Sequence, residues 1–187
     1  MIRFVRPQDA PRLLEIYAQY IDTPTTFEYP LPSLEEFSCR IAGIAAEYPY
    51  LVLEEEGRVM GYAYAHRLHE RAAYQWNAEL SVYLDREAGG HGAGKRLYRA
   101  LEALLRLQGV KKLCGIVVVP NPASEALHLS LGFSRAALFE AEGYKQGGWR
   151  DVCRFEKRIG EAALDPAPIL KITELDAERV CEILEGA

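Results

Sequence analysis

Positive charge is in short supply: 22 Lys and Arg stand against 27 Asp and Glu, a formal net charge of -5. A surface devoted to nucleic acid needs the opposite balance to displace counterions from phosphates, so no nucleic-acid partner is expected. There is no apolar run near the roughly 20 residues that cross a bilayer, and the opening MIRFVRPQDA lacks the apolar core of a secretory signal. No membrane partner is expected, and the cytoplasm is the expected compartment. Cysteine is sparse. Cys39, Cys114, Cys153 and Cys181 form no CxxC pair, so they read as reduced core thiols and not as a redox or zinc motif. His66 and His69 make an HxxH with nothing nearby to complete a ligand set; they read as loop histidines, and no metal is expected.

What is present is enough for one core. The chain has 187 residues, 49% hydrophobic and 26% charged, which fits a single globular domain. IRFV opens as a strand, and Asp9 is placed to cap a helix whose apolar positions Leu13, Leu14, Tyr17 and Ile21 recur at helical spacing. DTPTTFEYPLPS follows, too proline-rich for a helix, with Phe27 and Tyr29 as aromatic surface suited to lining a pocket. Ser33, with Glu36 at the capping-box position, starts a second helix running to about Tyr48. YLVLEEE and VMGYAYAHRL read as a hairpin turning at Gly57 and Arg58, and YQWNAELSVYL as a third strand of the central sheet.

A glycine loop, a helix from about Gly92 to Gln108 and the strand KLCGIVVV come next. A short helix then has Asn121 as cap, Pro122 in its first turn and Gly132 as its stop, and two final strands surround a Gly-rich turn. This order predicts an α/β (α+β) fold: a mixed, mostly antiparallel sheet of about seven strands with one parallel crossover and helices on both faces. Residues 1–159 are expected to form the domain. Residues 160–187 read as a C-terminal extension, a proline-rich connector and a short amphipathic helix suited to covering a partner subunit.

AGGHGAGKRLY, Ala88 to Tyr98, resembles a phosphate loop. A Walker A motif fails because Arg96 stands where a magnesium-binding hydroxyl is required, and GxGxxG fails because Lys95 occupies the third glycine position. Gly92-Ala93-Gly94 directly opens a helix, however, so free N–H groups and the positive dipole end can hold a diphosphate without metal. Lys95 and Arg96 add local positive charge.

Together, GGHGAGKRLYRALEALL and VVVPNPASEALHLSLGF resemble the GNAT superfamily of acyl-CoA-dependent N-acetyltransferases over about residues 2–157. RAAYQWNAELSVYL, NPASEALHLSLGF and EGYKQGGWRDV look like its phosphinothricin and methionine sulfoximine acetyltransferase branch. The resemblance implies acetyl-CoA as cofactor, held by Leu80, Ser81, Val82, Tyr83 and Leu84 of the third strand and by Gly89, Gly90, Gly92, Ala93, Gly94, Lys95 and Arg96 of the loop. Gly89 departs from the Gln or Arg usual at that place. The resemblance also implies a homodimer, with the last strands and the tail as contacts.

Strand periodicity puts Trp76, Ala78, Leu80, Val82 and Leu84 on one face and Asn77, Glu79, Ser81 and Tyr83 on the other. Glu79 is an acid amid large apolar groups, either paired with Arg67 or Arg71 or used as a base whose burial raises its pKa. The branch gives the glutamate at this place the role of general base, taking the proton of an arriving amine. In the superfamily a main-chain N–H of this strand, here within Leu80 to Val82, serves the oxyanion. Asn121, Ser124 and His128 align on one helix face. The resemblance puts Asn121 on the pantetheine arm and His128 where many relatives carry a proton-donating tyrosine. Arg71 and Tyr74 could clamp a substrate carboxylate, Phe27 and Tyr29 could close over the acceptor, and Lys145 and Trp149 match the family's late hairpin. The expected activity is direct transfer of acetyl to the amine of a small amino-acid-like molecule. The alternatives are a protein or peptide N-acetyltransferase, which needs an open groove at TPTTFEYP, and a non-catalytic acyl-CoA-binding module.

Overall fold

The computed structural model describes residues 1–88 and 92–187. Its first hairpin follows from composition: β2 (Tyr50–Glu55) and β3 (Arg58–Arg67) are rich in Val, Tyr and Leu and turn at Gly57, whose φ of 79° suits glycine. β1 (Ile2–Phe4) pairs with β2, and β4 (Asn77–Leu84) with β3, all antiparallel. α3 (Ala93–Gln108) carries the chain back so that β5 (Lys112–Val119) lies parallel to β4. β7 (Gly148–Arg158) and β6 (Ser134–Lys145) complete a sheet of 7 strands in the order β1-β2-β3-β4-β5-β7-β6. The expected mixed, mostly antiparallel sheet with one parallel crossover is what the chain forms.

Each sheet face buries its own helices. On one, Leu97, Leu101, Leu104 and Leu105 of α3 pack on Leu51, Leu53, Ala63, Ala65, Leu80 and Leu113. On the other, α1 (Ala10–Ile21) and α2 (Leu34–Ala45) bring Leu13, Ile16, Tyr17, Phe37 and Ile41 onto Tyr50, Val52 and Tyr62. Alternate residues of β2 therefore serve opposite cores, as a period of two requires. α4 (Pro122–Ser130) follows β5, capped by Asn121, whose side chain accepts from the Ser124 N–H at 3.2 Å. Gly132, at φ 84°, ends that turn as expected.

The β4–β5 junction positions the site. Only Asn77, Ala78 and Glu79 pair with Lys112, Leu113 and Cys114; beyond them the strands diverge. The free end of β4 is stitched elsewhere: the Tyr20 hydroxyl donates to the Leu84 carbonyl at 2.6 Å and accepts from its N–H at 3.2 Å. Satisfying both groups lets the strand end stand apart without a neighbour on that side.

Several local expectations are corrected. Asp9 does not cap α1 with its side chain; its carboxylate takes the Arg6 N–H at 2.7 Å and both terminal nitrogens of Arg3. A full guanidinium fork outcompetes one cap bond. α2 stops at Ala45, and Glu36 pairs with Arg40 without returning to the cap, although Ser33 does accept from the Glu36 N–H. His66 lies in β3, not in a loop. Cys114 and Cys153 are core thiols, but Cys39 and Cys181 are exposed. The tail folds back on its own chain: α5 (Ala177–Glu185) places Val180, Ile183 and Leu184 on the α3 core, the Leu170 N–H donates to the Gln108 carbonyl, and the Leu170 carbonyl accepts from the Gln108 side-chain amide.

Asp85, at the end of β4, is buried and accepts from Arg12, from Gln19 and from the Glu87 N–H at 2.9 Å. Burial pushes its pKa up, but these donors more than reverse that and hold it below the ordinary value. A depressed carboxyl adds stability above its unfolded pKa, and the gain is lost as pH falls through the folded one. Asp85→Ala is expected to cost ~3 kcal/mol in urea unfolding at neutral pH, and the gap to wild type should narrow under acid conditions.

Candidate active site

Where β4 and β5 part, a crevice runs through the sheet. Leu80, Ser81, Val82 and Tyr83 wall one side, Ile116, Val117 and Val118 the other, with Asn121, Ser124 and His128 of α4 over it. It meets a larger cavity of about 550 Å³ bordered by Val82, Leu84, Gly92, Ala93, Gly94, Lys95, Asn121, Ser124 and Leu127. The cavity thus joins the start of a 16-residue helix, preceded by Gly92 at φ 74°, to a slot through the sheet. Strand parity gives the slot its polar lining. The carbonyl of Leu80 receives the Tyr98 hydroxyl at 3.4 Å, and both main-chain groups of Leu84 meet Tyr20. Val82, between them in the period of two, therefore turns its N–H and C=O away from β3 and toward the slot.

Glu79 is on the opposite sheet face from α3, in a row that the register defines: His66, Glu79, Cys114 and Glu156 on neighbouring strands. Its carboxylate is 3.8 Å from His66 Nε2, and its side chain keeps 23% of its exposure. Burial pushes its pKa above the ordinary carboxylate value, an effect reduced by His66, Arg154 and His69. Neither arginine named as a partner serves it in an ion pair: Arg67 pairs with Glu47 at 3.1 Å, and the nearby guanidinium is that of Arg154. Glu79 is therefore a partly desolvated acid with one edge open to water.

His128 is 2% exposed, stacked on Phe155 and edge-on to Phe133 and Tyr98. Nδ1 lies 2.8 Å from the Ser124 carbonyl and so carries the proton; Nε2 is 3.4 Å from the Tyr98 hydroxyl. Burial lowers its pKa, so the ring is neutral. Asn121 spends its side-chain oxygen on the helix cap, leaving the amide NH₂ for another partner.

Gly92, Ala93, Gly94, Lys95, Asn121, Ser124 and the β4 residues thus come together around one continuous space. Gly89 and Gly90 lie outside the described residues. Arg96 turns elsewhere, to Glu55 at 3.6 Å and the Ala187 carbonyl at 3.3 Å. Among the acceptor-side residues, Lys145 is buried, its ammonium donating to the carbonyls of Thr26 and Glu28. It is a strut between the β6–β7 turn and the proline-rich loop. The Tyr29 hydroxyl donates to the Tyr144 carbonyl at 2.5 Å, and Phe27 covers Gly143, so that loop is pinned down. Arg71 and Tyr74 stand exposed on the turn before β4, Tyr74 edge-on to His69.

Tyr20, Tyr98, Thr25 and Arg154 also belong to this region and were not singled out from sequence. Tyr98 could have been found from its inward position on α3; the other three are assembled by tertiary contact alone. Among the described residues no group of three or more His, Cys, Asp and Glu side chains could hold a metal ion.

Comparison with known proteins identifies the family. A family model described as an acetyltransferase (GNAT) domain matches residues 2–153. A phosphinothricin N-acetyltransferase of Streptomyces viridochromogenes is 34% identical over 93% of this chain and 95% of its own length. One of Alcaligenes faecalis is 35% identical over 84% of this chain and 82% of its own. The crystal structure of a GNAT superfamily phosphinothricin acetyltransferase from Sinorhizobium meliloti in complex with AcCoA superposes with a TM-score of 0.87 at 34% identity, covering 94% of this chain and 97% of that one.

Gly115 tests the packing of the crevice floor, because a Cβ there would lie 2.2 Å from His128 Nε2. Gly115→Ala should cost ~1–3 kcal/mol in urea unfolding as the imidazole is forced aside; unchanged stability would show that the ring has room to move.

Proposed function

The chain belongs to the GNAT acetyltransferase family and is an acyl-CoA-dependent N-acetyltransferase, and from that premise we propose that its acceptor is a small amino-acid-like amine of the phosphinothricin or methionine sulfoximine type. The observation that carries the reading is the placement of Glu79, a partly desolvated carboxylate on the strand that borders the crevice, on the sheet face opposite α3.

The residues present fit acetyl-CoA, which supplies an activated acetyl thioester. The N-terminus of α3, with Gly92, Ala93, Gly94 and Lys95, suits the diphosphate. Val82, Leu84 and Leu127 offer apolar walls to the pantetheine arm, and the Asn121 amide is free to meet its amide carbonyls. Gly89 and Gly90 complete the cofactor loop in this proposal, and Arg96 joins them on leaving Glu55. Across the slot, Glu79 takes the proton of the arriving ammonium, directly or through water, and frees the lone pair for attack. A main-chain N–H within Leu80 to Val82 donates to the acyl oxygen as it gathers charge; losing such a donor typically costs ~10²-fold or more. The Tyr98 hydroxyl, resting 3.4 Å from the Leu80 carbonyl, turns its one proton to a hydrogen bond with the departing sulfur. His128, neutral and fixed through Nδ1 to the Ser124 carbonyl, keeps Nε2 3.4 Å from that hydroxyl as an acceptor and is no proton donor in this reading. A thiol with an ordinary pKa of ~8.5 needs no stronger acid.

The pinned loop bearing Phe27 and Tyr29, braced by Lys145, closes one side of the acceptor space, with Arg71 and Tyr74 at its rim. A closed loop favours a small acceptor over a peptide. We assign residues 1–159 to the catalytic domain and 160–187 to a strap lying on it. Exposed thiols at Cys39 and Cys181 and no disulfide among the described residues support a reducing, cytoplasmic setting. No helix among the described residues is long and apolar enough to cross a membrane.

A homodimer is part of the proposal: edge strand β6 and the adjoining turn expose Leu138, Phe139, Tyr144 and Trp149, a strip that a second copy would cover. Light scattering should report twice the chain mass, and Phe139→Asp with Trp149→Arg should bring it to one chain; a monomeric wild type contradicts this.

Glu79→Gln should lower kcat/KM ~10²-fold or more while acetyl-CoA binding persists. Because the raised acid must be ionised to act, wild-type kcat/KM should fall as pH drops through a value above the ordinary carboxylate range. That limb should vanish in the variant; retention of full turnover would remove Glu79 from the mechanism.

A further inference from the structure

The face that carries Glu79 holds a second charged group that the transfer chemistry leaves unused. Register defines two successive rows there. His66, Glu79, Cys114 and Glu156 form one; Tyr64 and Ser81, then Ile116 and Arg154 across the gap, form the next. Arg154 is thus one row nearer the crevice than Glu156, beside Ile116, whose side chain lines the slot and is 44% exposed. Its guanidinium folds back over β5, one terminal nitrogen 3.6 Å from Cys114 Sγ and 2.8 Å from Glu156. Cys114 is the register partner of Glu79, so guanidinium and base face each other across a single strand.

A purely structural role leaves this arginine poorly explained. Glu156 is shared with Lys112 at 3.1 Å, so two cations divide one carboxylate. The thiol is a weak acceptor, and the buried Nε–H of Arg154 has no partner. Buried donors on a guanidinium ordinarily find acceptors, and a group one strand away from the base, with 21% of its side chain still open, is placed to receive one from a ligand.

We propose that Arg154 binds the acid group of the acceptor, so that the enzyme selects amines with a carboxylate or similar oxyanion beside the amino group. The inference rests on the reading of Glu79 as base. An α-amino acid is a short zwitterion. With its ammonium toward Glu79, its carboxylate reaches across β5 to the guanidinium, where two parallel N–H bonds can form and the excess positive charge of Arg154 and Lys112 is met. Ile116 then lies against the acceptor's carbon chain. The exposed Arg71 at the rim has no comparable fixture.

The test measures thiol release from acetyl-CoA with L-phosphinothricin, L-methionine sulfoximine and a panel of free amino acids, each against its α-carboxamide. Wild type should prefer the acids by ~10²-fold in kcat/KM, mainly through KM. Arg154→Met should erase the preference, acids losing ~10²-fold more than amides in kcat/KM, Arg154→Lys should lose ~10-fold of it, and Arg71→Ala should keep it. Arg154→Lys and the wild-type acid-to-amide ratio give the answer even if Arg154→Met does not fold. A wild type indifferent to the acid, equal losses on acids and amides, or a preference that follows Arg71 would each overturn the proposal. Glu79→Gln separates the two readings: if it retains turnover and the acid preference stands, the base fails and Arg154 survives.

Discussion

The separation of β4 from β5 is the constraint on which the other features depend. A parallel pair that zipped along its whole length would bury its main chain in hydrogen bonds and leave no passage through the sheet. Here pairing ends at Glu79 and Cys114, and groups that a neighbouring strand would have taken are met by Tyr20 and Tyr98 or remain available. The tyrosines make the gap stable, because an unpaired buried amide costs about as much as the hydrogen bond it lacks. Helix α3 starts at the mouth of the same gap, so its unpaired N–H groups open toward the slot that Leu80 to Tyr83 of β4 wall.

Charge on the acceptor face is the second constraint. Glu79 is desolvated enough for its pKa to rise and near enough to His66 and Arg154 for the rise to be limited. A base at the ordinary carboxylate value would bind an ammonium but take its proton poorly; a fully buried one would be protonated and inert. Glu156 of β7 continues the Glu79 row beyond β5, and both Lys112 and Arg154 pair with it.

Much of this could be read from the residues. Strict alternation in NAELSVYL put Glu79 and Leu80 on opposite faces, and the spacing of Asn121, Ser124 and His128 placed all three on the crevice. What escaped reading depends on distant partners. Asp9 looked like a cap but meets Arg3, and Arg96 looked like a phosphate ligand but faces Glu55. Lys145 read as a late-hairpin residue on the substrate side but braces a loop more than a hundred residues earlier, its one ammonium shared among carbonyls that no local pattern announces. The tail read as an extension suited to covering a partner subunit; its apolar residues instead lie against the core that α3 helps build. Arg154 sits in a strand where alternation predicts only a face, and its neighbour Glu79 is set by a crossover.

The most direct test of the account is a crystal structure of the protein with a thioether analogue of acetyl-CoA that cannot be cleaved. The account predicts the pantetheine arm between β4 and β5, its acyl oxygen within hydrogen-bond distance of a main-chain N–H from Leu80 to Val82, and Glu79 facing the acyl carbon from the other side. An arm lying outside that gap, or strands closed upon each other beyond Glu79, would contradict it.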